Sequence, residues 1–390
     1  MNSSKQNDSK QLPIALILGT GHCALGTIRS LKANPDIPII VMGNREKGLA
    51  QHSRYVDDYY PCDQNDLSNV YRVLKKIDDS YDKVIPIPTG SDFWVDVMIN
   101  SPVEFKHFIT DLKPHYSDLM KKSVQQILAE KCRVPYPASI EIKNKDDLGT
   151  ACETLEFPCV VKPVSRASGT VPFRIRTYKT PDQLKGGIQG LLNECDFLAS
   201  DLIPGPDKNI YTYGSFAVKG EVKAEYFGRK LTQRPMHFGV AGIAESIYDV
   251  PQLRTYSTAM LKDIGFSGIS QIEFKKSTRD GKFYLMEINP RIWLWMQAAA
   301  ESKVNIALAY YSHLAGLREK KYHQSGKCMF ISGLSMFDNT FREKDLTWLP
   351  YYLKSRFTRH IYSIKDRRDP EPFRIERRRF LKKFIRKTIN

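Results

Sequence analysis

The stretch Phe283-Tyr-Leu-Met-Glu-Ile-Asn-Pro-Arg291 constrains this chain more than any other. It reads as an apolar strand that stops at a proline, which has no N–H for a ladder. Glu287 and Asn289 are two residues apart, so on a strand they share one face. Upstream, Gly268-Ile-Ser-Gln-Ile-Glu-Phe-Lys275 reads as a second strand, carrying Glu273. The link between them has turn chemistry, with Asp280-Gly281 near its centre, so the pair is predicted to form a hairpin. Glu273, Glu287 and the Asn289 amide oxygen suit a hard cation such as Mg²⁺, which prefers oxygen ligands and bound phosphates. Arg291 beside them suits a transferring phosphoryl group.

At 390 residues the chain has room for two or three domains. No apolar run approaches the roughly 20 residues needed to span a bilayer. Residues 1–11 are polar and lack the apolar core of a signal peptide. The seven cysteines are scattered, odd in number and without a C-x-x-C pair. That pattern points to a reducing cytoplasm and away from a zinc site or a disulfide framework. The net charge of +16 is uneven: residues 351–390 hold 14 Lys and Arg against four Asp and Glu. With that segment set aside the body is ordinary, and no specific nucleic-acid binding is expected.

Leu12–Leu18, Ile37–Met42 and Val84–Pro88 are apolar strands separated by helical stretches. Such alternation predicts a parallel sheet with helices on both faces, a Rossmann-like domain over residues 12–115. The turn Gly19-x-Gly21-x-x-Ala24 looks like a dinucleotide fingerprint, but the second strand runs into Gly43-Asn44-Arg45 with no ribose-binding acid. It is read as a strand-to-helix turn. Further on, Lys162 lies in the apolar strand Leu155–Val164, where an ammonium needs an anionic partner. The small residues Ser165–Thr170 that follow can wrap backbone N–H groups around phosphates.

Taken in order, the chain offers a Lys on a helix, a Lys on a buried strand and a small flexible loop. An acid before Ile203-Pro204-Gly205 follows, then E-F-K, and finally M-E-I-N-P-R. That order resembles the ATP-grasp superfamily, in particular its carboxylate–amine ligase branch, over residues 12–317. The resemblance implies an α/β protein built of α+β lobes. A pre-ATP-grasp Rossmann-like domain (12–115) precedes a two-lobed ATP-grasp domain (116–318, small lobe about 155–235) and a C-terminal extension (319–390) with a basic helical tail.

It implies ATP and Mg²⁺, with an acyl phosphate formed from a carboxylate and then attacked by an amine. Lys122 and Lys162 would contact phosphates; relatives commonly have Asp-Lys where this chain has Lys121-Lys122, which leaves open which of the two does so. Ser165, Ser168 and Gly169 would form the phosphate loop. Ser200, Asp201, Leu202 and Ile203 would form the adenine hinge, with Asp201 where Glu is usual. Asn209 stands where many relatives place an acid. Glu273, Glu287 and Asn289 would hold the metal, and Arg291 and Lys162 would be catalytic.

For the acceptor, the ends of parallel strands point to Arg45, Ser53, Arg54, Thr89, Ser91 and Asp92, and His237 is a further candidate. Trp293 and Trp295 read either as pocket lining or as core. A carboxylase-like or carbamoyl-phosphate-like activity is the alternative within the superfamily. From another class, the alternative is a non-catalytic nucleotide-binding module docked on a membrane. The expectation is a cytoplasmic homodimer acting on small molecules. In the tail, Phe380, Leu381, Phe384 and Ile385 form one stripe among cations. Three readings stay open for residues 373–390: contact with the anionic inner membrane face, nucleic acid, or the protein's own body.

Overall fold

The computed structural model describes residues 11–44, 48–164, 172–235, 237–318, 320–333, 336, 340 and 346–389. The first block contains β1 (Ile14–Leu18), α1 (His22–Leu31), β2 (Ile39–Gly43), β3 (Asp58–Pro61), α2 (Leu67–Ser80), β4 (Val84–Pro88) and α3 (Asp92–Ile99). Strands β1, β2 and β4 are buried on both faces, as unbroken apolar runs require. They form a parallel sheet in the order β3-β2-β1-β4. Ile17, Ile39 and Val41 face α1, whereas Leu16, Leu18 and Ile40 face α2 and α3.

The second block contains α4 (Lys122–Lys131), β5 (Ser139–Ile142), α5 (Lys145–Thr154), β6 (Cys159–Val164), β7 (Arg176–Tyr178), α6 (Pro181–Ile188) and β8 (Asp196–Asp201). Its antiparallel sheet has the order β5-β8-β6-β7, with α5 and α6 packed on the core face through Leu148, Ala151, Leu184 and Ile188.

The third block contains β9 (Ile210–Val218), β10 (Glu221–Arg234), β11 (Val240–Ser246), α7 (Pro251–Asp263), β12 (Gly268–Lys276), β13 (Phe283–Asn289), α8 (Gln297–Glu301), α9 (Ile306–Leu314) and β14 (Met329–Ile331). It closes with α10 (Leu349–Ser355), β15 (His360–Tyr362) and α11 (Glu371–Ile389). Seven strands line up as β13-β12-β9-β10-β11-β14-β15.

One boundary differs from expectation. The small sheet runs from Ser139 to Asp201, not over 155–235, because β9 and β10 pair with β12 and β11 in the large sheet. Between α8 and α9 the chain turns: Lys303 sits at φ +73° and Asn305 caps α9 by accepting from the Leu308 N–H.

The first block and the large sheet share one core, in which Ile28 and Ile87 join Phe216, Tyr226 and Trp293. At the C-terminal end of β4, the Gly90 N–H donates to the Ile292 carbonyl at 3.2 Å. The parallel sheet is thereby fixed against the residue that follows Arg291.

The extension is pinned from the opposite side. Asp369 is fully buried and accepts from Arg29 Nε (3.1 Å), Ser53 Oγ (2.9 Å) and the Arg54 N–H (3.0 Å). Ser53 and the Arg54 backbone therefore serve this anchor, which corrects the expectation that they meet an acceptor. Phe373 and Ile375 of α11 pack on the core, and Arg379 donates to the Gly48 carbonyl. The first half of the basic tail lies on the protein's own body, leaving Arg377, Arg378, Leu381 and Lys382 exposed. Among the described residues no helix is long and apolar enough to cross a membrane.

Asp369→Ala strips a buried guanidinium of its carboxylate, which costs roughly 3–5 kcal/mol. Urea unfolding should show that loss, and a change under about 1 kcal/mol would contradict the anchor, being the size expected for a surface pair.

Candidate active site

The hairpin β12–β13 sets Glu273 directly opposite Glu287. Adjacent carboxylates repel, so the pair needs cations. Lys230 Nζ lies 2.9 Å from Glu273, and both side chains are nearly buried. Lys122 Nζ lies 3.2 Å from Glu287 Oε1 and 3.0 Å from the Met286 carbonyl. Gln271 donates to Glu273 at 3.0 Å, and Asn289 donates to Glu287 at 3.3 Å. The oxygen of that same Asn289 amide accepts from Arg291 Nη2 at 3.1 Å. Arg291 Nε in turn donates to Asp92 Oδ1 at 2.5 Å.

Local structure explains why these groups converge. β13 is an edge strand, and α4 covers it. Gln125 is 1% exposed; its amide donates to the Ile288 carbonyl (3.1 Å) and accepts from the Ile288 N–H (3.2 Å), as a neighbouring strand would. That contact places Lys122, one turn earlier, over Glu287. Lys121 turns outward to Asp118 at 2.7 Å. On β9, Gly214 leaves room for Trp293: a Cβ there would stand 2.3 Å from Trp293 Cη2.

Lys122, Lys230, Glu273, Glu287, Asn289 and Arg291 line one cleft of about 880 Å³ between the small sheet, the large sheet and the parallel sheet. Burial would push the Glu287 carboxyl up, but Lys122 and Lys162 outweigh it and hold the pKa at about 2. Lys162 projects from β6 into the same cleft and stays open to solvent, although protein surrounds it on most sides. Partial desolvation, with Lys122 nearby, holds its pKa below the usual lysine value. His22 stands on the cleft wall in the first turn of α1; burial, helped by Arg234, lowers its pKa to about 4. Lys275 also lines the cleft, its pKa lowered by burial against an opposing pull from Asp207.

Ser200, Asp201, Leu202 and Ile203 line the far end. Ser200 accepts from Ser139 Oγ at 2.9 Å, and the Asp201 carboxylate accepts from the Glu156 N–H at 2.9 Å. The Asp201 carboxylate is thus taken by the small lobe. Ser91 and His237 lie on the wall; His237 sits at φ +66° with Nδ1 3.3 Å from Asp207. Asp92 meets the cleft through Arg291. Asn209 departs from expectation: it lies in a 3₁₀ turn that directs its amide to the Lys276 carbonyl at 2.9 Å, outside the cleft lining. Arg45, Ser165, Ser168 and Gly169 lie outside the described residues. Trp293 and Trp295 are both core and wall, 2% and 1% exposed.

Sequence reasoning missed Lys230, Gln271, Arg234, Lys275 and His22. The signal for Lys230 is that of Lys162, a cation in an apolar strand; its strand, β10, runs from Glu221 to Arg234 through two register shifts.

No family model matches the chain. Many solved structures share its architecture, and two of them show the extent of the likeness. N5-carboxyaminoimidazole synthetase from Staphylococcus aureus, complexed with ADP, superposes with a TM-score of 0.64 at 13% identity, over 85% of this chain and 87% of that one. L-amino acid ligase from Bacillus licheniformis does so with a TM-score of 0.60 at 15% identity, over 82% and 79%. The chain has the ATP-grasp fold. A sequence relative, D-aspartate ligase from Enterococcus faecium, is 23% identical over 178 residues, which is 42% of this chain and 42% of the relative. The chain thus matches less than half the length of that relative. Among the described residues no cluster of three His, Cys, Asp or Glu forms a metal site. A cation on this hairpin would take Glu273, Glu287 and the Asn289 oxygen, and need further oxygens from a ligand. The hard donor set fits Mg²⁺ bound with phosphate.

The depressed Glu287 pKa has a testable sign. An unfolded glutamate titrates near roughly 4.3, so this carboxylate contributes stability above that pH. The contribution is lost as the pH falls toward about 2. A carboxyl-carbon NMR titration should find Glu287 protonating near that value and shifted upward in Lys122→Met. A midpoint unmoved by that substitution would contradict the assigned cause.

Proposed function

We propose that this chain is an ATP-dependent ligase joining a carboxylate to an amine through an acyl phosphate, with release of ADP and phosphate. The observation that carries this reading is the convergence of Lys122, Lys162 and Lys230 on Glu273 and Glu287, with Arg291 in the same cleft. Four cations around two carboxylates suit a triphosphate with a divalent ion: the phosphates take the cations, and the carboxylates are released to the metal. Mg²⁺ held by Glu273, Glu287 and Asn289 would neutralise phosphate charge.

The chain's own groups position and stabilise. Lys122 and Lys162 hold the phosphates, with Lys230 on the same face. The hinge Ser200–Ile203 receives the adenine through backbone and apolar side chains, since the Asp201 carboxylate is occupied. A carboxylate oxygen of the substrate attacks the γ-phosphorus, the bond to the bridging β–γ oxygen breaks, and ADP leaves. Arg291, oriented by Asp92, stabilises the equatorial oxygens and then the tetrahedral carbon formed when the amine nitrogen attacks. Phosphate leaves, and the nitrogen gives up a proton. Ser91, His237 and the newly located His22 and Arg234 border the acceptor end.

All seven cysteines are free thiols, in keeping with a cytoplasmic enzyme. A biotin carboxylase domain dimer with MgADP is among the structures sharing the fold, and a homodimer is the expected assembly here. For the tail, the described side chains offered to an anionic membrane include Arg377, Arg378, Leu381 and Lys382.

The test supplies Mg-ATP, pools of carboxylic acids and hydroxylamine as the amine. One acid should support hydroxamate and ADP formation. Glu287→Gln should lower the rate about 10²–10³-fold, as loss of one preorganised charge contact does. Nucleotide binding without acid-dependent turnover would favour a non-catalytic module. ADP release that requires bicarbonate would favour carboxylase-like chemistry.

A further inference from the structure

The C-terminal extension carries an apolar stripe that nothing in the described fold covers. Helix α10 packs inward through Trp348, Tyr351 and Tyr352, which meet Leu231, Ile243, Met329 and Ile331. Ser355 on the same side is fully buried. Its outward side should therefore be polar, as on most surface helices. Instead Leu349 and Leu353 lie four residues apart, 39% and 54% exposed. Phe357 follows four residues later at 94% exposure, on a turn closed by its N–H donating to the Lys354 carbonyl at 3.1 Å. Residues at this spacing share one helix face. Leu346, 57% exposed, precedes them.

The setting is cationic. No acidic residue occurs between Leu346 and Ile364, whereas Lys354, Arg356 and Arg359 do. All three are exposed. Lys354 reaches Glu245, an acid already shared with Arg229, and Arg359 reaches Glu301. The positive charge continues into residues 365–390, so the stripe sits in the most basic part of the chain.

We propose that this stripe docks the protein on an anionic bilayer surface. Leu349, Leu353 and Phe357 enter the headgroup region, and the flanking Lys and Arg side chains meet lipid phosphates. Charge complementarity selects lipid over a second copy of the chain. Two copies meeting here would bring two cationic rims together. A stable protein interface also needs about 800 Å² per partner, more than a few side chains supply. A lipid surface requires neither a matching pocket nor an opposite acidic patch on protein. The inference goes beyond the ligase reading and does not depend on it; it adds a contact that the basic tail alone does not provide.

The test is flotation of the full-length chain with phosphatidylcholine vesicles, either pure or mixed two to one with phosphatidylglycerol, at low and high salt. The wild-type chain should float with the mixed vesicles, bind pure phosphatidylcholine far less and weaken as salt rises. The double variant Leu353→Gln, Phe357→Ser should bind the mixed vesicles at least tenfold more weakly. Its melting temperature should match wild type, because both side chains face solvent. A second variant, Arg377→Gln, Arg378→Gln, separates the stripe from the tail. If that variant loses binding while the stripe variant keeps it, the tail is the contact and the stripe proposal is overturned. Absence of flotation with mixed vesicles at low salt overturns it as well. So does a concentration-dependent dimer in light scattering that the stripe variant abolishes, which would assign the face to a second copy.

Discussion

Two carboxylates held face to face on a hairpin are the constraint around which the rest is arranged. Glu273 and Glu287 repel each other in the cleft, and that repulsion must be offset by cations from other elements. Those cations come from far apart in the chain: Lys122 from a helix, Lys162 from the small sheet and Lys230 from the middle of the large one. The second and third blocks therefore both contribute charge to one cleft, and the electrostatics of the site join those blocks alongside their packing.

The packing is arranged to hold that hairpin still. Gln125 closes the open edge of β13 with the two hydrogen bonds a further strand would make. Gly214 lets the Trp293 ring approach β9 closely, and the Gly90–Ile292 bond fixes the end of the parallel sheet beside Arg291. Arg291 is then oriented from both sides, by Asp92 of the first block and Asn289 at the end of β13. A guanidinium fixed in this way keeps its direction before any ligand arrives, which is how charge stabilisation becomes effective in a transition state.

The hairpin, the parallel sheet and the ATP-grasp order of elements were legible because each rests on contiguous residues with a strong local pattern. Glu287 and Asn289 needed only the two-residue period of a strand. Lys230 was not legible, because the register shifts between Lys230 and Gln233 break the alternation that would have placed it on the cleft face. Asn209 misled for a related reason: a short 3₁₀ turn rotates it away from the position its place in the chain suggests. Ser53 and Arg54 looked like acceptor contacts because they follow a parallel strand. Their partner, Asp369, lies more than 300 residues away, and no local rule reveals it. What the sequence hides here is long-range pairing of polar side chains, whose energy depends on burial that only the assembled fold creates.

The most direct test of this account is a crystal structure of the chain with Mg²⁺ and a non-hydrolysable ATP analogue. The account predicts a metal ion on Glu273, Glu287 and the Asn289 oxygen, with Lys122, Lys162 and Lys230 turned from carboxylates to phosphates and the adenine against Leu202 and Ile203. A nucleotide bound elsewhere, or one bound with both lysine–glutamate pairs intact and no metal on the hairpin, would contradict it.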